Sequence, residues 1–189
     1  MNWIMIIGLV VAGIAVVAFA IGLIICGDLL SYTATGNKTL DPAGTPAGRA
    51  LVVYNPGVSG AAKDAAATIA GDLQSKGYAV SLAGVRSTAA ANTSSYDVII
   101  VGGPMYFGKV SSSVEAYLKG LKPQKDVALG VFATTGAPQF NNDDIASFGK
   151  QVASLPCNSM LNKTAVTKTI RSGDAGNVDC SEFVSAVLQ

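Results

Sequence analysis

The residues best suited to chemistry lie in a tight turn, Asn55-Pro56-Gly57-Val58-Ser59-Gly60-Ala61-Ala62, which runs straight into a helical pattern. Small residues there let backbone N–H groups approach an anion, and the start of a helix adds partial positive charge, so a phosphate suits the spot. An ordinary strand-to-helix turn uses Gly, Pro and Ser for backbone reasons alone, and both explanations stand on this loop by itself. The loop lacks the Gly-Lys-Ser/Thr ending that nucleoside triphosphatases need, and it does not spell Gly-x-Gly-x-x-Gly. Two further Gly-containing segments follow apolar runs: Val101-Gly102-Gly103-Pro104-Met105-Tyr106-Phe107-Gly108-Lys109 and Ala133-Thr134-Thr135-Gly136-Ala137-Pro138.

Other chemistries are excluded by composition. Histidine is absent, which removes Ser-His and Cys-His nucleophilic catalysis and His-ligated zinc. No Cys-x-x-Cys or other metal-ligand spacing occurs, so no metal is expected. Cys157 and Cys180 are the one candidate pair outside the apolar N-terminal stretch. From Arg49 onward there are 12 basic and 10 acidic residues, without a basic cluster or interleaved aromatics, so nucleic acid is not an expected partner. Whatever chemistry occurs is carried by a cofactor.

The elements that position these loops can be traced along the chain. Trp3 to Cys26 runs for 24 residues without Asp, Glu, Lys or Arg, longer than the ~20 needed to cross a bilayer. A cleaved signal peptide would carry a cationic start and a shorter apolar core. Ala18-Phe19-Ala20 resembles a cleavage site, but apolar sequence continues past it to Cys26. A lipid-modified Cys26 is disfavoured by the bulky Ile25 before it. Residues 3–26 are therefore expected to be a retained single-pass membrane helix. Lys38 is the one Lys or Arg close to it, and lies on its C-terminal side, which favours a cytoplasmic domain. The sequons at Asn37, Asn92 and Asn162 would matter only on the outer side.

Residues 27–48, rich in Thr, Ala, Gly and Pro, are expected to be a flexible linker, and 49–189 a single domain. In that domain Ala50–Tyr54, Tyr78–Ala83, Asp97–Val101, Val127–Ala133 and Thr164–Ile170 read as strands. Between them, Ala62, Ala65, Ala66, Ile69, Ala70 and Leu73, then Val114, Tyr117, Leu118 and Leu121, and then Ile145, Phe148, Val152 and Leu155 repeat at helical spacing. Asp179 and Glu182 have capping-box spacing ahead of a closing helix. Gly84–Tyr96 shows little helical stripe. Apolar strands alternating with helices predict an α/β fold with a doubly wound, five-stranded parallel sheet covered on both faces.

The stretch from Asp97 to Lys109 resembles the flavodoxin family, in which an apolar strand ends in Gly-Ser/Gly-Pro-x-Tyr-x-Gly. The likeness extends in element order from about Arg49 to the C-terminus. It implies FMN as cofactor, with Asn55, Pro56, Gly57, Val58, Ser59, Gly60 and Ala61 forming the phosphate loop. Gly103, Pro104, Met105, Tyr106, Phe107 and Gly108 would pack against the isoalloxazine ring, with Tyr106 the first choice for stacking. Thr134, Thr135 and Gly136 would meet its polar edge. The first loop departs from the family pattern: Ala61 and Ala62 stand where Asn and Thr are usual, and Pro56 has no N–H. The near-neutral domain also lacks the strong acidity typical of the family. The resemblance implies an FMN-dependent electron carrier at the membrane, passing electrons to a redox protein or small-molecule acceptor. A flavin or quinone reductase of the same fold, and a flavin-free binding module, are the alternatives.

Overall fold

The computed structural model describes residues 2–31, 34–124, 126–137 and 141–189. In chain order the elements are α1 (Trp3–Ser31), β1 (Asn37–Leu40), β2 (Gly48–Tyr54), α2 (Ala61–Ser75), β3 (Tyr78–Gly84), α3 (Thr88–Ala91), β4 (Val98–Tyr106), β5 (Lys109–Val110), α4 (Ser112–Gly120), β6 (Ala128–Thr135), α5 (Asn142–Ala153), a 3-10 turn (Pro156–Met160), β7 (Val166–Arg171) and α6 (Ser181–Leu188).

Because side chains alternate across a strand, β2 sends Leu51 and Val53 to one face and Ala50 and Val52 to the other. On the first face they meet Val114 and Leu118 of α4 and Phe148 and Val152 of α5. On the second they meet Ile69 and Leu73 of α2 and Phe183 and Val187 of α6. Both faces of the central strands are thus dry, which is why their sequences are apolar throughout rather than alternating. Each fully buried Leu, Ile or Val contributes roughly 1.5–3 kcal/mol. Helix α2 presents the stripe read from the sequence, with Ala62, Ala65, Ala66, Ile69, Ala70 and Leu73 all buried. It ends where Gly77, at φ 90°, turns the chain and donates its N–H to the Gln74 carbonyl.

The parallel strands run in the order β3-β2-β4-β6-β7, the doubly wound arrangement expected. The sheet is nonetheless larger than five strands. β5 folds back on the end of β4 as an antiparallel hairpin, and β1 adds antiparallel to the outer edge of β3, pairing Asn37 with Ala83 and Leu40 with Val80. The stretch 27–48, expected to be flexible, therefore carries an ordered edge strand. Within it, α1 continues past Cys26 to Ser31. Met5–Leu23 of α1 is long and apolar enough to cross a membrane. The crossover from β3 to β4 holds one four-residue helix, N-capped by Ser87, whose Oγ accepts from the Ala90 N–H at 3.2 Å. At α6 the spacing of Asp179 and Glu182 is used differently from a capping box: Asp179 accepts from the Ser181 N–H at 2.8 Å, and Cys180 is the cap residue.

Cys157 and Cys180 are free and buried on opposite faces of the sheet, so they are not a disulfide pair. Burial raises both thiols, Cys180 to about 11 from the ordinary 9.0. The unfolded chain releases these protons earlier than the folded one, so stability is expected to fall as pH rises from 9.0 to about 11. The buried phenol of Tyr117, which donates to the Ala90 carbonyl at 2.7 Å, is raised as well and adds to the loss at higher pH. Urea midpoints at the two ends of this range check it; an unchanged midpoint would contradict the burial of these groups.

Candidate functional site at the carboxyl end of the sheet

From β2 the chain crosses to β3 on one side, whereas β4, β6 and β7 lie on the other. The loops leaving β2 and β4 therefore diverge, opening the crevice where open α/β sheets hold ligands.

The first loop is organised by Asn55, which is fully buried. Its Nδ2 donates to Ser113 Oγ at 2.6 Å and lies 3.2 Å from Ser111 Oγ, while Oδ1 accepts from the Gly57 N–H at 3.0 Å. Its backbone N–H donates to the Gly102 carbonyl at 2.9 Å. Through its side chain and its backbone N–H, Asn55 thus ties the loop to the start of α4 and the middle of β4. Gly57, at φ 67°, brings the turn against the Pro104 ring, which a Cβ would meet at 3.0 Å. Gly60, at φ 77°, then starts α2 without a side-chain cap. Ser59 Oγ accepts from the Ala61 N–H at 3.3 Å. Among the described residues, the N–H groups of Val58, Ser59 and Gly60 make no hydrogen bond. They border a groove of about 550 Å³ lined by Tyr54, Pro56 to Gly60 and Lys63, together with Ala34, Thr35 and Gly36.

The second segment differs from the loop expected. β4 continues to Tyr106, so Gly103, Pro104 and Met105 are buried strand residues, and Met105 packs in the core. Gly103 is needed where it is, because a Cβ would meet Val114 at 2.7 Å and Asn55 Cβ at 3.2 Å. Tyr106 pairs with Lys109 across the two-residue turn Phe107-Gly108, with φ 51° and 76°. Positive φ at both positions matches the right-handed twist of a hairpin, but for Phe it is an unusual backbone state. Tyr106 is half-buried, and Phe107 is 94% exposed at the hairpin tip.

The third segment is also shorter than expected. Thr134 and Thr135 are the buried last residues of β6, at 2% and 8% exposure. Thr135 Oγ1 accepts from the Ala137 N–H at 3.3 Å, so this hydroxyl shapes the turn. Gly136 is exposed, with open space where a Cβ would stand. Pro138 lies outside the described residues.

Of the candidate residues, Val58, Ser59, Gly60, Tyr106, Phe107 and Gly136 retain access to solvent, while Asn55, Met105, Thr134 and Thr135 support from within. The sequence reading missed Ala34, Thr35 and Gly36 as a wall and Ser111 and Ser113 as partners of Asn55. The Asn-x-Gly spacing of Asn55 and Gly57, which allows an Asn side chain to accept from the N–H two residues on, was the available signal. Among the described residues no three His, Cys, Asp or Glu gather as a metal-binding group.

No family model matches this chain, and no curated protein matches it. Solved structures do. Oxidised flavodoxin 2 from Bacillus cereus is 17% identical with a TM-score of 0.52, over 74% of this chain and 97% of that one. A flavodoxin from the domain Archaea is 17% identical with a TM-score of 0.50, over 75% and 99%. The apo form of an NADH:FMN oxidoreductase is 16% identical with a TM-score of 0.52, over 74% and 86%. Strand order, crossovers and these similarities agree: the domain has the flavodoxin-like fold.

Proposed function

We propose that this protein is a membrane-anchored, FMN-binding electron-transfer protein. The observation that carries the proposal is the first loop. Val58, Ser59 and Gly60, whose backbone N–H groups make no hydrogen bond among the described residues, border one groove with the Ser59 side chain and the start of α2 at the switch point of the sheet. That donor set fits a phosphate, and Lys63 adds a cation at its edge. Similarity in fold to two flavodoxins and an NADH:FMN oxidoreductase makes the flavin mononucleotide the natural owner of that phosphate. When bound, the flavin supplies one- and two-electron transfer.

The chain's own residues then have defined tasks. Val58, Ser59 and Gly60 hold the phosphate, Asn55 keeps their loop in shape, and Gly57 allows it to press against Pro104. Tyr106 offers an aromatic face to the ring, and Gly136 leaves backbone accessible to its polar edge. Met105, Thr134 and Thr135 act from inside the sheet rather than by touching the ring. Helix α1 spans the membrane once, with the domain on the cytoplasmic side. The acceptor is a redox protein or small molecule, and the carrier role is preferred over a reductase.

Placing a carboxylate in the phosphate loop tests this directly. Ser59→Glu is expected to weaken FMN binding by roughly 10- to 100-fold, the scale of a lost charge-assisted hydrogen bond plus like-charge repulsion. Riboflavin, which lacks the phosphate, should be nearly indifferent to the change. Titration of flavin fluorescence with the full chain in detergent reads both; equal losses for the two ligands would contradict the assignment of the loop. A flavin-free binding module is the second reading, favoured by Asn55 turning its amide inward instead of toward a ligand.

A further inference from the structure

We infer that the carboxyl end of the sheet, the end that carries the candidate site, rests on the bilayer surface, with Phe107 and Val58 as its apolar contacts. The inference rests on the membrane-anchor part of the proposed function and not on flavin.

It follows from how the chain enters the domain. Ser31 ends α1, and only two residues separate it from Ala34, which is already fastened to the sheet. The Ala34 carbonyl accepts from the Arg86 N–H at 2.9 Å, and the Gly36 carbonyl accepts from the Gly84 N–H at 2.8 Å. Strand β1 then runs antiparallel to β3, so the chain arrives at the carboxyl end of β3 and leaves toward its amino end. Gly84 makes the approach possible, because a Cβ there would lie 2.4 Å from the Ala34 carbonyl oxygen. The residues so fastened, Ala34 to Gly36, also line the groove at the first loop. Anchor and site therefore share an end of the domain.

Chain length turns this into a distance. The first charged residue after the apolar run is Asp28. Three helical steps of about 1.5 Å and three extended steps of at most about 3.6 Å bring Ala34 within about 15 Å of the hydrocarbon edge. A free 22-residue linker, counted from 27 to 48, would have allowed any orientation; the pairing of β1 removes that freedom. The amino ends of the strands lie roughly 20 Å farther off, at about 3.3 Å per residue.

The surface at this end suits an interface. Phe107 is 94% exposed on a hairpin tip in a left-handed backbone state, and Val58 is 61% exposed on the loop that packs against Pro104 of the same strand. Lys63, Arg86 and Lys109 are exposed at the same end of the sheet, with Asp64 on the same turn as Lys63 and Asp144 against Gly108. Apolar tips with long cationic side chains alongside are what a headgroup region accommodates.

Trp3 is the one tryptophan in the chain, so fluorescence reports the contact. In a Trp3→Phe background, Phe107→Trp is compared with Gln124→Trp, which sits in the exposed approach to the amino end of β6. The full chain is placed in phosphatidylcholine–phosphatidylglycerol vesicles with plain or brominated acyl chains, and the ratio of the two intensities is read. Bromolipid is expected to remove roughly half of the Phe107→Trp emission, as for a side chain within the acyl boundary, and little of the Gln124→Trp emission. Adding Gly84→Val, which displaces Ala34 from β3, should abolish that difference. Equal quenching of the two tryptophans in a chain that co-floats with the vesicles overturns the inference alone. A chain that does not co-float overturns the anchor and the inference together, leaving flavin binding untouched.

Discussion

Asn55→Ala is expected to lower the stability of the domain by about 3 kcal/mol and, at temperatures where it remains folded, to weaken FMN binding at least about tenfold. Asn55 is fully buried and serves three partners: the hydroxyls of Ser111 and Ser113 and the N–H of Gly57. Alanine leaves the Gly57 donor without an acceptor, and the two hydroxyls, 3.5 Å apart, retain only each other. An unsatisfied buried group costs roughly 1–3 kcal/mol, and here more than one is created. The functional loss has the same origin. Gly57 holds its left-handed conformation partly through the bond from its N–H to Asn55, and the donors of Val58, Ser59 and Gly60 follow directly after it. Urea denaturation and flavin titration on the same variant check both halves. Ser113→Ala serves as the milder comparison, since Asn55 then keeps both the Ser111 hydroxyl and the Gly57 N–H as partners.

Gly102→Ala is the second large effect, expected to destabilise the domain by about 3 kcal/mol or more through overpacking. Gly102 and Phe132 are register partners on β4 and β6, and a Cβ on Gly102 would fall 2.3–2.4 Å from three carbons of the Phe132 ring. That ring is fully buried and held by α2 and α6 on the same face, so it has no room to withdraw. Phe132→Ala alone leaves a cavity, typically worth 3–5 kcal/mol. Combined with Gly102→Ala it should cost clearly less than the sum of the single changes, because the clash disappears with the ring. A thermal or urea double-mutant cycle reads this coupling. Additivity within error would mean that the two side chains do not face each other.

Much of the fold was legible because the signals were strong. Ala50–Tyr54 and Asp97–Val101 are apolar runs that only a doubly covered sheet can bury, and the α2 stripe from Ala62 to Leu73 admits one helix face. β1 was not legible. Asn37-Lys38-Thr39-Leu40 has no apolar period, since an edge strand can be held by backbone pairing alone, and that pairing becomes visible only with β3 in place. The full length of β4 was hidden for a related reason. Gly102-Gly103-Pro104 breaks the apolar run, and proline ordinarily argues against a central strand, yet β4 continues through it to Tyr106. Proline sits near the end of the ladder, opposite Thr134, where few further bonds are lost. Because β4 and β6 run on, Met105, Thr134 and Thr135 are inside the sheet instead of on its rim. The first loop joins β2 to α2 as its sequence predicts, but the direction of the Asn55 side chain depended on Ser111 and Ser113, more than fifty residues away in sequence.

Absorption spectra of the full chain, purified in mild detergent, before and after incubation with FMN and desalting, test the proposed FMN site at the first loop. Retained flavin absorbance close to stoichiometric with protein, reduced in Ser59→Glu, is the result expected of that site. Well-folded protein that keeps no flavin would contradict it.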